Sequence, residues 1–357
     1  MIIVLFLFNF LFKNVENGVR GKMATEKILM EVRNLRKWFP VRRTIGDVIK
    51  RRPRLWVRAV DGISFNIMKR EIFGLVGESG SGKTTTGKLL IRLWDPDEGR
   101  ILYHTNGKVV DLAELSSKEL KPWRKKLQII YQDPYGSLNP RMTVREQLME
   151  PLRFLEPDLP LEEKEEKIVR ALERVRLVPV EEFINKYPHQ LSGGQRQRVA
   201  VARAIIVEPE FLVADEPVSM IDVSMRAGIL HLLLRMRDEL GLAILYITHD
   251  LATAGYLTDR IAVMYLGKIF EIGPAEKVLM EPLHPYSQAL ISAVPVPDPT
   301  VKKERVILKG EIPSPIFIPE GCRFWPRCPK AFDRCRKEVP ELREVEPGRF
   351  VACHLYS

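Results

Sequence analysis

The sequence predicts an α/β fold: a mostly parallel sheet with an inserted helical subdomain and a small, loop-rich C-terminal extension. Three observations predict it. Short apolar runs bounded by turns alternate with amphipathic stretches, the pattern of strands buried beneath helices. A glycine-rich loop joins one such run directly to one such helix. Helical periodicity then takes over the middle of the chain, and proline crowds its end. The 357 residues exceed a single typical core, and 45% hydrophobic with 29% charged residues is globular rather than disordered or fibrous. No stretch reaches the ~18 to 20 unbroken apolar residues of a membrane-spanning helix, which excludes an integral protein of that type.

From the N-terminus, Met1 to Phe12 is apolar but interrupted by Asn9, without the basic region or cleavage site of a secretory signal. It reads as a membrane-surface anchor, a core strand, or sequence translated upstream of the true start. Met23-Ala24-Thr25-Glu26 resembles an ordinary cytosolic beginning, and a purine-rich ribosome-binding run can encode Val19-Arg20-Gly21. The native start is therefore expected at Met23, with 1–27 a leader outside the fold. Between Arg33 and Arg58 ten basic residues face the single acid Asp47, so this segment holds nearly all of the +10 net charge. Such a stripe suits anionic lipid or nucleic acid phosphates, and equally a solvated insertion loop.

Strands are expected at Ile72–Val76, Leu127–Tyr131, Phe211–Ala214 and Ala243–Thr248, and helices at Thr84–Leu93, Arg196–Val207 and Arg226–Leu240. Leu161–Val178 reads as an amphipathic helix with Ile168, Ala171, Leu172 and Val175 on one face. The predicted division is a core of 28–118 and 191–280, a helical subdomain of 119–190, and an extension of 281–357. Twelve of the 26 prolines lie between Pro282 and Pro347, where regular helix is improbable. An extension so loop-rich needs a staple.

Gly77-Glu78-Ser79-Gly80-Ser81-Gly82-Lys83-Thr84 fits G-x-x-x-x-G-K-[ST] between a strand and a helix. Its glycines let successive N–H groups curl round phosphates, and the helix N-terminus adds its dipole. Lys83 would reach the β- and γ-phosphates and the Thr84 hydroxyl would ligate Mg²⁺. Asp215-Glu216 closes a buried strand, placing Asp215 to hold Mg²⁺ through water and Glu216 to polarise the attacking water. Gln132 and His249 end two further strands at the same sheet edge, positions from which to sense a γ-phosphate; Gln132 is also a candidate Mg²⁺ ligand. Ser79 and Thr85 complete the nucleotide-binding loop and its first helical turn.

Leu191-Ser192-Gly193-Gly194-Gln195-Arg196-Gln197-Arg198 forms a second anion site at a helix N-terminus, with Ser192 as hydroxyl donor. One nucleotide does not need two such sites on one chain, so this one is expected to close over ATP held by a second subunit. Here the chain resembles the ABC-transporter ATPases: the signature matches, as does the order of P-loop, Gln132, signature, Asp215-Glu216 and His249, over essentially Ile28 to Ser357. The resemblance implies a P-loop NTPase core of RecA-like, ABC type and a head-to-tail dimer with two sandwiched ATP molecules. It implies that Ser192, Gly193, Gly194 and Gln195 contact the partner's ATP, that Phe39 rather than Trp38 stacks on adenine, and that Asp222 of Ser219-Met220-Ile221-Asp222 makes the dimer contact. Met220 is bulkier than the Ala usual at its position.

Tyr131-Gln132-Asp133-Pro134-Tyr135-Gly136-Ser137-Leu138-Asn139-Pro140-Arg141-Met142 resembles the oligopeptide and dipeptide importer branch. His284-Pro285-Tyr286, Ala293-Val294-Pro295-Val296-Pro297 and Gly310-Glu311-Ile312-Pro313-Ser314-Pro315 do so too. That implies an ATP-hydrolysing, peripheral subunit on the cytoplasmic face of the membrane. Its expected partners are a related second ATPase, two permeases whose coupling helix meets about Tyr135 to Glu150, and an external solute-binding protein. Nearly identical ATPases serve oligosaccharide importers. A soluble ABC ATPase acting on ribosomes or DNA is the rival from another class, but it usually carries two cassettes or a long coiled coil, and no nucleic acid partner is expected.

All four cysteines fall in the last 36 residues, which in an apparently unsecreted chain points to a metal site over disulfides. Spacings of five, six and seventeen residues between Cys322, Cys328, Cys335 and Cys353 resemble the branch's C-terminal pattern, in which some members bind a [4Fe-4S] cluster. Zinc is the alternative, although its sites usually begin with closer pairs. Six basic residues from Arg323 to Lys337 would offset the charge of such a cluster, and His354 is a possible substitute ligand.

Overall fold

The computed structural model describes residues 28–43, 53–105, 107–294, 308, 310–311 and 313–357. The leader with the expected start at Met23, residues 44–52 of the basic stretch, and Pro295, Val296, Pro297 and Ile312 of the branch motifs lie outside the described residues. In chain order the strands are β1 (Ile28–Pro40), β2 (Trp56–Met68), β3 (Ile72–Val76), β4 (Glu98–Thr105), β5 (Lys108–Asp111), β6 (Leu127–Ile130), β7 (Phe211–Asp215), β8 (Ala243–Thr248), β9 (Arg260–Tyr265), β10 (Lys268–Pro274), β11 (Arg343–Glu346) and β12 (Arg349–Val351).

They form two sheets. An eight-stranded sheet runs β11-β12-β10-β9-β3-β8-β7-β6, with β9, β3, β8, β7 and β6 parallel and β10, β12 and β11 antiparallel at one side. Every residue of β3, β7 and β8 is buried, which is why these strands read as unbroken apolar runs. A four-stranded antiparallel sheet, β2-β1-β4-β5, covers one face. Its inward residues, among them Met30, Leu35, Ile63, Ile67 and Tyr103, share a core with Phe73, Leu75, Val213 and Leu245 of the large sheet.

Over the other face lie helices Val144–Leu155, Leu161–Arg174, Gly193–Ile205 and Val223–Leu240. Ile168, Ala171 and Leu172 point inward from the second of these, the stripe that its periodicity predicts. Thr143 opens the first with a capping box to Glu146, so the chain turns into helix without an orphaned donor. The strand β6 falls within 119–190, the span expected to be helical, yet it pairs with β7 and belongs to the large sheet.

The C-terminal extension departs from expectation. It is not an appendage: β12 pairs with β10 and β11 with β12, so the tail lengthens the main sheet. Its Phe324, wholly buried, joins Tyr265, Phe270 and Tyr286 in one aromatic core. Hydrogen bonding to an existing strand edge satisfies the tail's backbone where local propensity does not.

Of the basic stretch, the described Arg33, Arg36 and Lys37 lie on β1 and pair with Glu31, Glu98 and Asp97 at 2.7, 2.6 and 2.8 Å. Exposed pairs of this kind contribute about 0 to 1 kcal/mol each, and they answer three of the seven basic residues described in this stretch.

Candidate nucleotide-binding site

Parallel register brings the site together. The pairs Val76↔Thr248, Asp215↔Ile247 and Ala214↔Ile130 align the C-terminal ends of β3, β8, β7 and β6. The residues that follow, among them Gly77, His249, Glu216 and Gln132, leave the sheet along one edge. Open α/β sheets place their ligands at that edge.

After β3 the loop turns on glycine. Gly77 and Gly82 have φ of 154° and 108°, and a Cβ on either would run into a backbone carbonyl, that of Met264 or Ala59. At Gly80, φ 76°, nothing lies within 4 Å, so the outer side of the loop is open. Ser79 is exposed beside it, and Thr85 is half-buried in the first turn of the helix Lys83–Leu90. Lys83 is only 5% exposed. Its Nζ donates to the Gly77 and Glu78 carbonyls at 2.8 Å each and to Ser81 Oγ at 3.3 Å. Burial draws its pKa below the ordinary lysine value, while Glu216, Asp215 and Glu78 oppose that shift. Thr84 Oγ1 donates to Asp215 Oδ1 at 3.0 Å. Burial raises the Asp215 carboxyl above the usual range; the Thr84 bond opposes this and Glu216 adds to it. A desolvated ammonium inside an amide-rich loop, next to a desolvated carboxylate and a hydroxyl, is a donor set suited to a polyphosphate with a divalent cation. Lys83 and the loop amides would hold the phosphates. Thr84 and Asp215 would hold Mg²⁺, which supplies charge neutralisation when bound.

Glu216 joins three strand ends. Gln132 Nε2 donates to its Oε2 at 3.0 Å, and His249 Nδ1 lies 3.0 Å from its Oε1. Its backbone sits at φ 45°, left-handed for a residue with a Cβ, at a cost on the order of 1 kcal/mol or more. The Glu216 N–H bonds to Ile247 O at 2.9 Å and Ser219 Oγ donates to Glu216 O at 3.0 Å, which hold that conformation.

The second anion motif stands at the start of the helix Gly193–Ile205. Ser192 caps it: Ser192 Oγ accepts the Gln195 N–H at 3.3 Å, and Gln195 Oε1 accepts the Ser192 N–H at 2.9 Å. Gly194 packs against Met225, whereas a Cβ on Gly193 would meet nothing within 4 Å, so this helix start is open. Among the described residues no hydrogen bond or ion pair joins Ser192–Gln195 to the loop Gly77–Thr85. Asp222 is exposed at the start of Val223–Leu240 and makes no side-chain cap there; Met220 before it is 56% exposed.

Phe39 lies opposite Val57 in the β1–β2 pair, two residues before the Ala59 carbonyl that abuts Gly82. Its ring is edge-on to Trp94 at 5.1 Å. Trp38 is committed elsewhere: its Nε1 donates to Asp61 at 3.1 Å and Arg58 covers its ring at 4.9 Å.

Sequence reasoning missed the groups that tie the tail to this loop. Arg327 grips Glu78 with both ends of its guanidinium, at 2.8 and 3.1 Å. The Tyr286 hydroxyl accepts the Glu78 N–H at 3.0 Å. Arg323 bonds to Asp61 and to the Leu266 carbonyl. His284-Pro285-Tyr286 carried a signal, and its work is now visible. His284, buried and uncharged with its pKa lowered to about 3 by desolvation, accepts the Tyr286 N–H at 2.9 Å and starts the helix Pro285–Ser292.

The cysteines leave the expected metal site without support. Cys322, Cys328, Cys335 and Cys353 are free thiols. They share a neighbourhood: burial pushes the Cys322 thiol up to about 12 and Cys353 up to about 11, with Cys328 and Cys335 adding to both shifts. Even so, among the described residues no group of three or more His, Cys, Asp and Glu is arranged to hold a metal ion. Neither an iron–sulfur cluster nor zinc is supported by this arrangement. Nor do the nearby cations all serve as a charge screen, since Arg323 and Arg327 are engaged with Asp61 and Glu78. His354 Nε2 lies 2.9 Å from the Glu338 carbonyl, occupied rather than free to ligate.

Comparison with known proteins agrees with this geometry. The ABC transporter family model matches residues 60–219, and the model for the C-terminal region of oligopeptide/dipeptide transporters matches 270–335. YkfD of Bacillus subtilis is 49% identical over 332 residues, 92% of this chain and 95% of that protein. The oligopeptide transport ATP-binding protein AppF of the same organism is 45% identical, covering 94% of this chain and 99% of its own length. Among solved structures, the dimeric post-hydrolysis state of the ATP-binding cassette MJ0796 bound to ADP and Pi superposes with a TM-score of 0.59 at 27% identity, covering 69% of this chain and 99% of that one. No helix of the described residues is long and apolar enough to cross a membrane. With a nucleotide loop, a carboxylate bridging two strand ends and relatives matched over nearly their whole length, the chain belongs to the ABC transporter ATPases, in the oligopeptide/dipeptide branch.

Proposed function

We propose that this chain is the ATP-binding and ATP-hydrolysing subunit that powers an importer of oligopeptides or dipeptides. The carrying observation is the Glu216 carboxylate held between Gln132 and His249, on the same sheet edge as Lys83, Thr84 and Asp215. Glu216 in that setting takes a proton from, or orients, an attacking water, and His249 and Gln132 keep its carboxylate aimed. Phe39 stacks on the adenine. The remaining assignments keep their loop and strand-end positions: Gly77, Ser79, Gly80, Gly82, Lys83, Thr84 and Thr85 for the bound ATP.

The partner reading rests on the separate anion motif. Among the described residues Ser192, Gly193, Gly194, Gln195 and Asp222 make no bonds to the chain's own loop, which supports a head-to-tail pairing with a second, related ATPase subunit. MJ0796 is dimeric in the structures it resembles. Permeases dock near Tyr135, whose exposed ring lies 4.0 Å beneath the Arg196 guanidinium and so links that surface to the signature helix. The subunit is peripheral on the cytoplasmic face, with an external binding protein choosing the solute.

Glu216→Gln tests the assignment. It should lower steady-state ATP hydrolysis by at least about a hundredfold while ATP binding persists. Undiminished turnover would refute the role of Glu216. For the tail, iron, acid-labile sulfide and zinc measured on anaerobically purified protein decide whether the free thiols close on a metal.

A further inference from the structure

Glu78 puts a carboxylate into a loop built to bind phosphate. It occupies the second position of Gly77–Thr84, and it is one of the three carboxylates whose charge acts on Lys83. A bare anion there opposes any polyphosphate. The structure answers it from the far end of the chain. Arg327 reaches Glu78 across 249 residues of sequence, with a side chain only 8% exposed and both of its terminal Nη atoms engaged. Bidentate pairing fixes geometry as well as charge. A third contact, from the Glu78 N–H to Tyr286, holds the same residue from the backbone side.

A second anchor lies four residues earlier in the tail. Arg323 bonds to Asp61, the carboxylate that also accepts the Trp38 indole N–H beside Phe39. The tail thus reaches the nucleotide site at its phosphate end and at its aromatic end. Both arginines sit between Cys322 and Cys328, on a segment that Phe324 plugs into the core.

We propose that Arg327 is a positioning residue of the ATP site, neutralising Glu78 so that the loop accepts polyphosphate, and that the cysteine-bearing tail is thereby a working part of the nucleotide site. The proposal rests on the assignment of Gly77–Thr84 as the ATP loop. It separates two contributions, charge compensation and simple architecture, which predict different behaviour of single and paired variants.

The test is titration of the full-length protein with ATP and Mg²⁺, followed by a fluorescent ATP analogue or calorimetry, together with kcat and KM. Arg327→Met keeps the apolar stem and removes the charge. It should weaken ATP binding by about ten- to thirtyfold, the effect of leaving one nearby carboxylate uncompensated. KM should carry this loss, with kcat changed far less. Arg327→Lys, which keeps the charge and loses the fork, should recover most of the affinity. Glu78→Gln should bind at least as tightly as the unmodified protein, and Arg327→Met combined with Glu78→Gln should restore affinity to within about threefold. If the bridge were architecture alone, Glu78→Gln would weaken ATP as much as Arg327→Met and the pair would not recover; that result overturns the proposal. So does unchanged affinity in Arg327→Met. Failure of the unmodified protein to bind ATP at all would instead remove the nucleotide assignment on which the proposal stands.

Discussion

Phe324→Ala asks whether the tail is part of the folded core. Phe324 is fully buried, with ring centroids 5.3 Å from Tyr286, 5.5 Å from Tyr265, 5.8 Å from His284 and 6.4 Å from Phe270. Removing a buried Phe costs about 3 to 5 kcal/mol, and the lost edge-to-face contacts are included in the upper part of that range. For a chain of 357 residues each kcal/mol moves Tm by roughly 1.3 °C, so the midpoint should fall by roughly 4 to 7 °C. Differential scanning calorimetry on the full chain reads it directly, with near-UV circular dichroism following the aromatic core. Because Tyr286 packs against the Phe324 ring and the Arg327 N–H bonds to the Phe324 carbonyl, nucleotide binding should weaken alongside. A fall of less than about 2 °C in an otherwise unchanged transition would show that the tail contributes no shared core.

Other substitutions probe the loop and the buried histidine. Gly82→Ala should abolish ATP binding, because its Cβ meets the Ala59 carbonyl at φ 108°, whereas Gly80→Ala, facing open space at φ 76°, should cost only about 1 kcal/mol of stability; equal effects in ATP titrations and thermal melts would contradict this. His284, held neutral with a pKa of about 3, binds its proton in the unfolded chain first. Stability from this site is therefore complete above about pH 6.5 and is lost as pH falls toward 3, at about 1.4 kcal/mol per unit. His284→Asn, which can still cap the helix, should remove about 2 kcal/mol of the stability difference between pH 7 and pH 5 in urea melts; an unchanged difference would refute the assignment.

Much of the site is legible because its chemistry depends on local backbone geometry. Glycines at 77 and 82 mark where backbone approaches backbone, and Ser192 with Gln195 spells a helix start whose capping bonds form in the structure. The parallel strands are legible too, since burial on both faces demands apolar residues throughout. The antiparallel sheet is not. Its strand β1 carries Arg33, Arg36 and Lys37 and breaks register with β2 at several points, so neither alternation nor composition marks it. Likewise Arg-Glu-Val-Glu at 343–346 becomes a strand only because β12 lies beside it.

The amino-acid sequence by itself determines the family, the phosphate loop, the carboxylate that follows β7 and the second anion motif, because each is a short run whose spacing alone sets its geometry. Tertiary structure alone decides what shares a side chain across the fold. It turns Gln132 and His249 onto one carboxylate and turns Arg323 and Arg327 away from the charge-screening role read for them beside the cysteines, toward Asp61 and Glu78. Partners 84 and 249 residues apart are joined by sheet register and core packing, neither of which has a local pattern.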